Sequence, residues 1–200
     1  MMLMPRMFLT LVVAMSLAGA AATAVAAPTD SIRAGATTVR LAPEFLTALN
    51  SLKVAPGAIA PGKLAAKRRG TLASFVIATG VVDLGAVTGE VAHAGGLSLG
   101  AGETRVELSS FIIDLAGKRP VLTGIVVVND SLVGRVPLFD LALPSRPVDV
   151  HEVLLRIEEV SVTLAPEAAE ALNGVFKVSA FTPGFNIGTA KLKALLDAEH

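Results

Sequence analysis

The sequence predicts an all-β fold: a single β-sandwich or flattened barrel with two short α-helices, each following a repeated V-x-L-A-P-E corner. Three observations predict it. Short runs rich in Val, Ile and Leu recur between turns bearing glycine or proline. Residues 39–50, VRLAPEFLTALN, return as residues 162–173, VTLAPEAAEALN. The stretch most open to a helical reading, 149–164, has a high β-branched content and lies in an otherwise β-rich context.

Each repeated block reads as strand, corner and short helix. Val39-Arg40-Leu41 and Val160 to Leu164 alternate with the period of a half-buried strand. Pro43 and Pro166 suit the first helical position, where the missing N–H costs nothing. Glu44 and Glu167 fall in the first turn, favourable to the positive end of the helix dipole. Asn50 and Asn173 fit the C-terminal end, because Asn tolerates the left-handed conformation. Short helices need an apolar surface to rest on. The two strands are therefore expected near one another, related by an approximate two-fold axis, with both helices over openings of one core.

Ahead of this fold, Arg6, the apolar run Met7 to Ala22 and the small residues Ala24 to Ala27 form a signal-peptide pattern over residues 1–27. Residues 28–200 then make one β-rich domain, long enough for a core of its own. No cysteine is present, and all five methionines precede residue 16. After signal removal no transmembrane segment is expected. A secreted, periplasmic or cell-envelope location follows.

Along the domain, residues 54–67 read as a partly surface-following connection, rich in Pro, Gly and Ala. Lys63, Lys67, Arg68 and Arg69 form a basic cluster that reads as a solvated loop, as a charged edge that discourages strand pairing, or as a contact for an anionic partner. Phe75 to Leu84 reads as a strand bent near Gly80. Residues 89–99, GEVAHAGGLSL, read as two strand pieces broken at Gly95-Gly96. Arg105 to Leu115 is the next strand. In it Val106 and Leu108 face one way and Phe111, Ile113 and Leu115 the other, so Ser109-Ser110 marks either a bulge or a strand buried on both faces. Val121 to Val128 and Val133 to Leu143 form a hairpin around Asn129-Asp130-Ser131, with Pro137 at an edge or bulge. In 149–164, read as a strand, a bulge at Glu158-Glu159 passes the apolar face from Leu155 and Ile157 to Val160, Val162 and Leu164. A last strand spans roughly 187–195. The expected interior includes Val39, Leu41, Val106, Leu108, Ile113, Val126, Leu155, Val162 and Leu164.

With 17 Lys and Arg against 17 Asp and Glu, the chain has no global field for nucleic acid or an anionic membrane. The absence of Tyr and Trp removes the usual stacking platforms. No nucleophile elbow, H-E-x-x-H, phosphate-binding loop or dinucleotide fingerprint is present. Of the three histidines, His200 is terminal and His151 is a surface or edge residue. His93 stands out, because Gly95 and Gly96 follow it closely. Small residues there either admit a ligand close to the backbone or permit a tight bulge. His93, Gly95 and Gly96 are the candidate ligand-binding residues; no catalytic residue is assigned.

The order F-V-I-A-T-G-V-V-D-L, G-E-V-A-H-A-G-G-L-S-L, V-E-L-S-S-F-I-I-D and V-S-V-T-L-A-P-E-A-A-E-A-L-N, over roughly residues 74–176, resembles the bacterial exported HtaA-type domain. The resemblance implies that fold and, through it, haem binding. In that family a tyrosine near the domain start is the expected iron ligand, supported by a histidine in the middle. This chain has no tyrosine, and His93 is the one residue that carries over, as metal ligand if haem is bound. Two functions are thus expected. The first is an exported, non-enzymatic binding or surface-interaction domain without a cofactor, meeting a small-molecule or cell-surface partner. The second is a haem-binding domain using His93.

Overall fold

The computed structural model describes residues 29–116, 119–145 and 149–197. The expected signal peptide, residues 1–27, and His200 lie outside the described residues. The elements in chain order are β1 (Asp30–Leu41), α1 (Pro43–Ser51), β2 (Ala55–Ile59), β3 (Lys63–Lys67), β4 (Gly70–Asp83), β5 (Thr88–Ala94), β6 (Gly96–Ala101), β7 (Thr104–Asp114), β8 (Val121–Val128), β9 (Ser131–Ala142), β10 (Asp149–His151), β11 (Leu154–Leu164), α2 (Pro166–Phe176) and β12 (Asn186–Leu196).

Eight of these strands close into a ring in the order β7-β5-β4-β1-β12-β11-β9-β8, because β8 pairs back onto β7. The barrel alternative is therefore the observed one, and every pairing in it is antiparallel. The remaining strands line the wall: β10 pairs with β11, β3 with β4, β6 with β7 and β2 with β6. Between β4 and β7 the wall changes hands. β5 fills it as far as Ala94, opposite Val76, and beyond that level β3, β2 and β6 take over.

Two bulges keep one face inward over long strands. In β7 the register shifts between Ser109 and Ile112, with Ser110 at φ 52°. The extra residue returns Phe111, Ile113 and Leu115 to the side already used by Val106 and Leu108, and all five are buried. In β11 the shift lies between Ile157 and Val160, with Glu159 at φ 57°. Leu155, Ile157, Val160, Val162 and Leu164 are all buried as a result, while Glu158 and Glu159 face solvent beside Lys191 of β12. Pro137 sits next to a third shift in the β8–β9 pairing, where β11 does not reach β9. All nine residues expected in the interior are buried.

Three expectations need correction. Residues 54–67 are not a loose connection but hold β2 and β3. Their Ala, Gly and Pro content hides the strand pattern, and both are half exposed. The helix ends also differ. The left-handed residues are Lys53 and Lys177, not Asn50 and Asn173. Asn173 lies within α2, where its amide donates to the Phe181 carbonyl (2.7 Å) and accepts from the Phe181 N–H (3.1 Å). It anchors the return loop, and α2 runs on so that Val175 and Phe176 gain partial burial. The two-fold expectation fails as well. The repeated strands flank β12, parallel to one another and two places apart in the eight-strand ring, where a half-turn would separate them by four, with Leu41 and Val162 both opposite Gly188. The helices consequently leave the same end of the barrel.

The helices rest on the core unequally. Leu49 is 1% exposed, whereas Leu172 is only partly buried. Leu49→Ala should cost about 2–5 kcal/mol, the range for a buried Leu truncation. Leu172→Ala should cost less. Urea unfolding of both variants checks the order, and equal losses would contradict this packing.

Candidate functional site

His93 lies on β5 opposite Ile77, and Thr37 lies on β1 opposite Phe75; both partners belong to β4. Alternation along β5 turns Val91 and His93 inward together. His93 Nε2 is 2.8 Å from Thr37 Oγ1, so the pair bridges two strands that are not neighbours. Both residues are buried, at 5% and 4% exposure, and they are the buried polar residues of the described core. Nδ1 has no hydrogen-bond partner. Loss of water from the ring lowers the His93 pKa from 6.5 to about 4, with the main chain of Phe111 and Val91 offsetting this in part. The ring is thus neutral at physiological pH. Phe111 meets Phe75 edge to face, with centroids 5.0 Å apart, in the same core.

Gly95 and Gly96 face the chain itself. Gly95 has φ +83°, and a Cβ there would stand 2.3 Å from the Gly62 nitrogen. A Cβ on Gly96 would stand 2.0 Å from the Leu108 carbonyl oxygen. The two glycines let the β2–β3 turn and β7 close against the end of β5, and the space beside them is taken by backbone. The structure brings Gly95 and Gly96 near His93 in sequence and wall position, but only His93 turns into the barrel. His151 is exposed on β10, as expected of a surface residue.

Two cavities are missing from the sequence reading, and Thr37 lines the first of them. The lumen, about 90 Å³, is bounded by strands around the ring and by Phe45 of α1 and Leu172 of α2; Thr37 is its single polar lining residue. A cleft of about 120 Å³ opens between α2 and the β8–β9 hairpin, with an entirely apolar lining that includes Val133, Ala168 and Val175. Leu108, Leu164 and Leu172 border both. The alternating strands foretold an apolar interior, but its incomplete filling depends on how side chains meet across the ring. Among the described residues no group of three His, Asp or Glu could hold a metal ion, and no helix is long and apolar enough to cross a membrane.

The His93 shift has a pH signature. The unfolded ring takes up a proton near 6.5, the folded ring only near 4, so the folded state loses stability as pH falls through that window. The full effect is on the order of 3 kcal/mol. Urea unfolding at pH 7 and pH 4.5 should show a steeper loss for the wild type than for His93→Leu. Parallel pH profiles would contradict a buried neutral ring.

No protein-family model and no curated protein matches the sequence. Solved structures do match. The C-terminal domain of HtaA from Corynebacterium glutamicum superposes with a TM-score of 0.62 at 16% identity, over 84% of this chain and 99% of that one. The N-terminal domain of the same protein gives 0.57 at 13% identity, over 84% and 99%. Heme binding protein HtaB from the same organism gives 0.55 at 11% identity, over 85% and 96%. The resemblance read from the order of motifs is thereby met at the level of architecture: this chain has the HtaA-type domain fold.

Proposed function

We propose that the chain is an exported, non-enzymatic binding domain whose barrel interior receives a small, neutral, apolar molecule. One observation carries this reading: the lumen offers a single polar side chain, Thr37, whose hydroxyl is already engaged by His93. A charged or strongly polar guest would lose its water there without compensation. Cavities of about 90 and 120 Å³ suit one aromatic ring or a short acyl chain. The cleft beside α2 gives such a guest a route inward, since Leu172 is the lumen's only lining residue from that helix. The one hydroxyl beside His93, that of Thr37, is buried with it, and no second base or orienting group accompanies the pair, which supports a role in binding rather than catalysis. Removal of residues 1–27 and a cell-surface or envelope location belong to the same reading.

Haem is the second reading, favoured by a structural neighbour named for heme binding. The residues present fit it poorly. Haem iron takes an axial His, Cys, Met or Tyr, and from Pro28 onward the chain has no Cys, Met or Tyr. His93 turns Nε2 toward Thr37 at 2.8 Å and stands in a wall whose lumen is far smaller than a porphyrin.

Two measurements test the choice. Benzene should raise the melting temperature of the chain beginning at Pro28, and Val175→Phe, which narrows the cleft, should weaken that rise several-fold. No rise in the wild type would remove the apolar-guest reading. Titration with hemin should leave the Soret band at its free position. A shift that disappears in His93→Ala would establish haem instead.

A further inference from the structure

We infer that the helix-bearing end of the barrel docks on an anionic lipid surface, through Arg40, Lys67, Arg68 and Arg69 on one side of the rim and Leu132 and Val133 on the other. The inference goes beyond the interior site and does not depend on what the lumen holds.

Register places these residues at one end. Arg40, next to the end of β1, lies opposite Leu72 of β4, and the β3–β4 turn, Lys67 to Gly70, projects just past them. Around the ring, Phe139 of β9 lies opposite Leu164, the last residue of β11. The earlier part of β9 and the β8–β9 turn therefore extend beyond the end from which α2 leaves. That turn passes through Asn129 and Asp130, at φ 46° and 63°, and presents Leu132 and Val133 at 71% and 60% exposure.

The basic side chains have no compensating partner. Arg40, Lys67, Arg68 and Arg69 surround an open concavity of about 390 Å³, and none of them forms a salt bridge among the described residues. Protection of a sheet edge accounts for Lys63 and Lys67, since β3 pairs on one side only. It does not account for Arg68 and Arg69 at the turn, nor for Arg40 on a strand paired on both sides. Since the whole chain is near neutral, the cluster is a local feature.

The chemistry of the two sides together selects the partner. Basic groups attract phosphate-bearing headgroups, and each adds to the partition onto an anionic leaflet. Exposed Leu and Val at a hairpin tip gain by entering the interfacial region. Nucleic acid would use the charges but leave the apolar tip in water, and the chain has no Tyr or Trp to stack on bases. Glu44, Glu103, Asp130, Glu167 and Glu170 share this end, and none lines the basic concavity. Their charges oppose the attraction, so docking rests on the side of the rim where the basic cluster stands.

Vesicle co-sedimentation at 100 mM NaCl tests this with the chain beginning at Pro28, which keeps every described strand and helix. It should bind vesicles containing a third phosphatidylglycerol and not vesicles of phosphatidylcholine alone. R68E/R69E should lower binding at least tenfold, and L132S/V133S at least threefold, each with an unchanged circular dichroism spectrum. These positions are exposed, and R68Q/R69Q offers a milder test of the same charges. The proposal is overturned by equal binding to both vesicle types, by no binding to either, or by wild-type binding in either double variant. Displacement from vesicles by millimolar inorganic phosphate, but not by chloride of equal ionic strength, would assign the concavity to a free anion and also overturn it.

Discussion

The fold depends on the insertion of β12 between β1 and β11. Without it the ring would open along two edges, each with unpaired main-chain groups and an apolar face toward water. The two copies of the repeated strand meet at Gly188, with Leu41 on one side and Val162 on the other. A Cβ at Gly188 would stand 2.0 Å from the Arg40 carbonyl oxygen, and its φ is +152°. A larger residue there would push β1 away from β12. The seam also fixes the corners: Ala42 N–H donates to the Ile187 carbonyl, and Leu164 N–H to the Phe185 carbonyl. Each V-x-L-A-P-E segment therefore turns into its helix at a point set by the last strand of the chain.

Much of the wall could be read from the sequence because burial imposes phase. In the segments around Ser109-Ser110 and Glu158-Glu159 the apolar alternation slips by one residue, and a bulge keeps the same face inward. Closure could not be read, since it joins β1 to β12, and the residues that pair there, such as Thr37 with Leu192, stand at opposite ends of the domain. β2 and β3 were hidden for a local reason. APGAI and KLAAK lack β-branched alternation because they lie half exposed, one as the outermost strand on β6 and the other on the flank of β4. Asn173 misled because its side chain has two uses in competition. A cap satisfies one end of a helix, whereas two hydrogen bonds to Phe181 hold a buried aromatic and the loop leading to β12.

At the site, the inward direction of His93 was legible from its spacing with Val91. Its partner was not, because Thr37 lies 56 residues earlier and meets it only after β4 has come between the two strands. Glycine following histidine is compatible with a ligand approach and with a close backbone crossing. The sequence holds both readings open, and the atoms beside Gly95 and Gly96 are the protein's own. The basic cluster was visible as composition, but its relation to Leu132 and Val133 appears only when the register brings two hairpins to one rim.

The Thr37–His93 pair has a further consequence for specificity. An interior lined by Val, Leu, Ile and Phe forbids a one-residue slip, which would turn the apolar face outward, but discriminates less against a two-residue slip, where one aliphatic contact replaces another. A buried polar pair tolerates neither. Sliding β1 or β5 along β4 would leave a hydroxyl and a ring nitrogen unpaired in an apolar lumen, and unsatisfied groups of that kind cost about 1–3 kcal/mol each. The pair therefore gives the barrel a reason to hold β1, β4 and β5 in one alignment. That alignment sets the level at which β5 gives way to the turn between β2 and β3. The same neutral ring that serves this purpose has Nε2 engaged by Thr37 and almost no exposure, while Nδ1 has no partner.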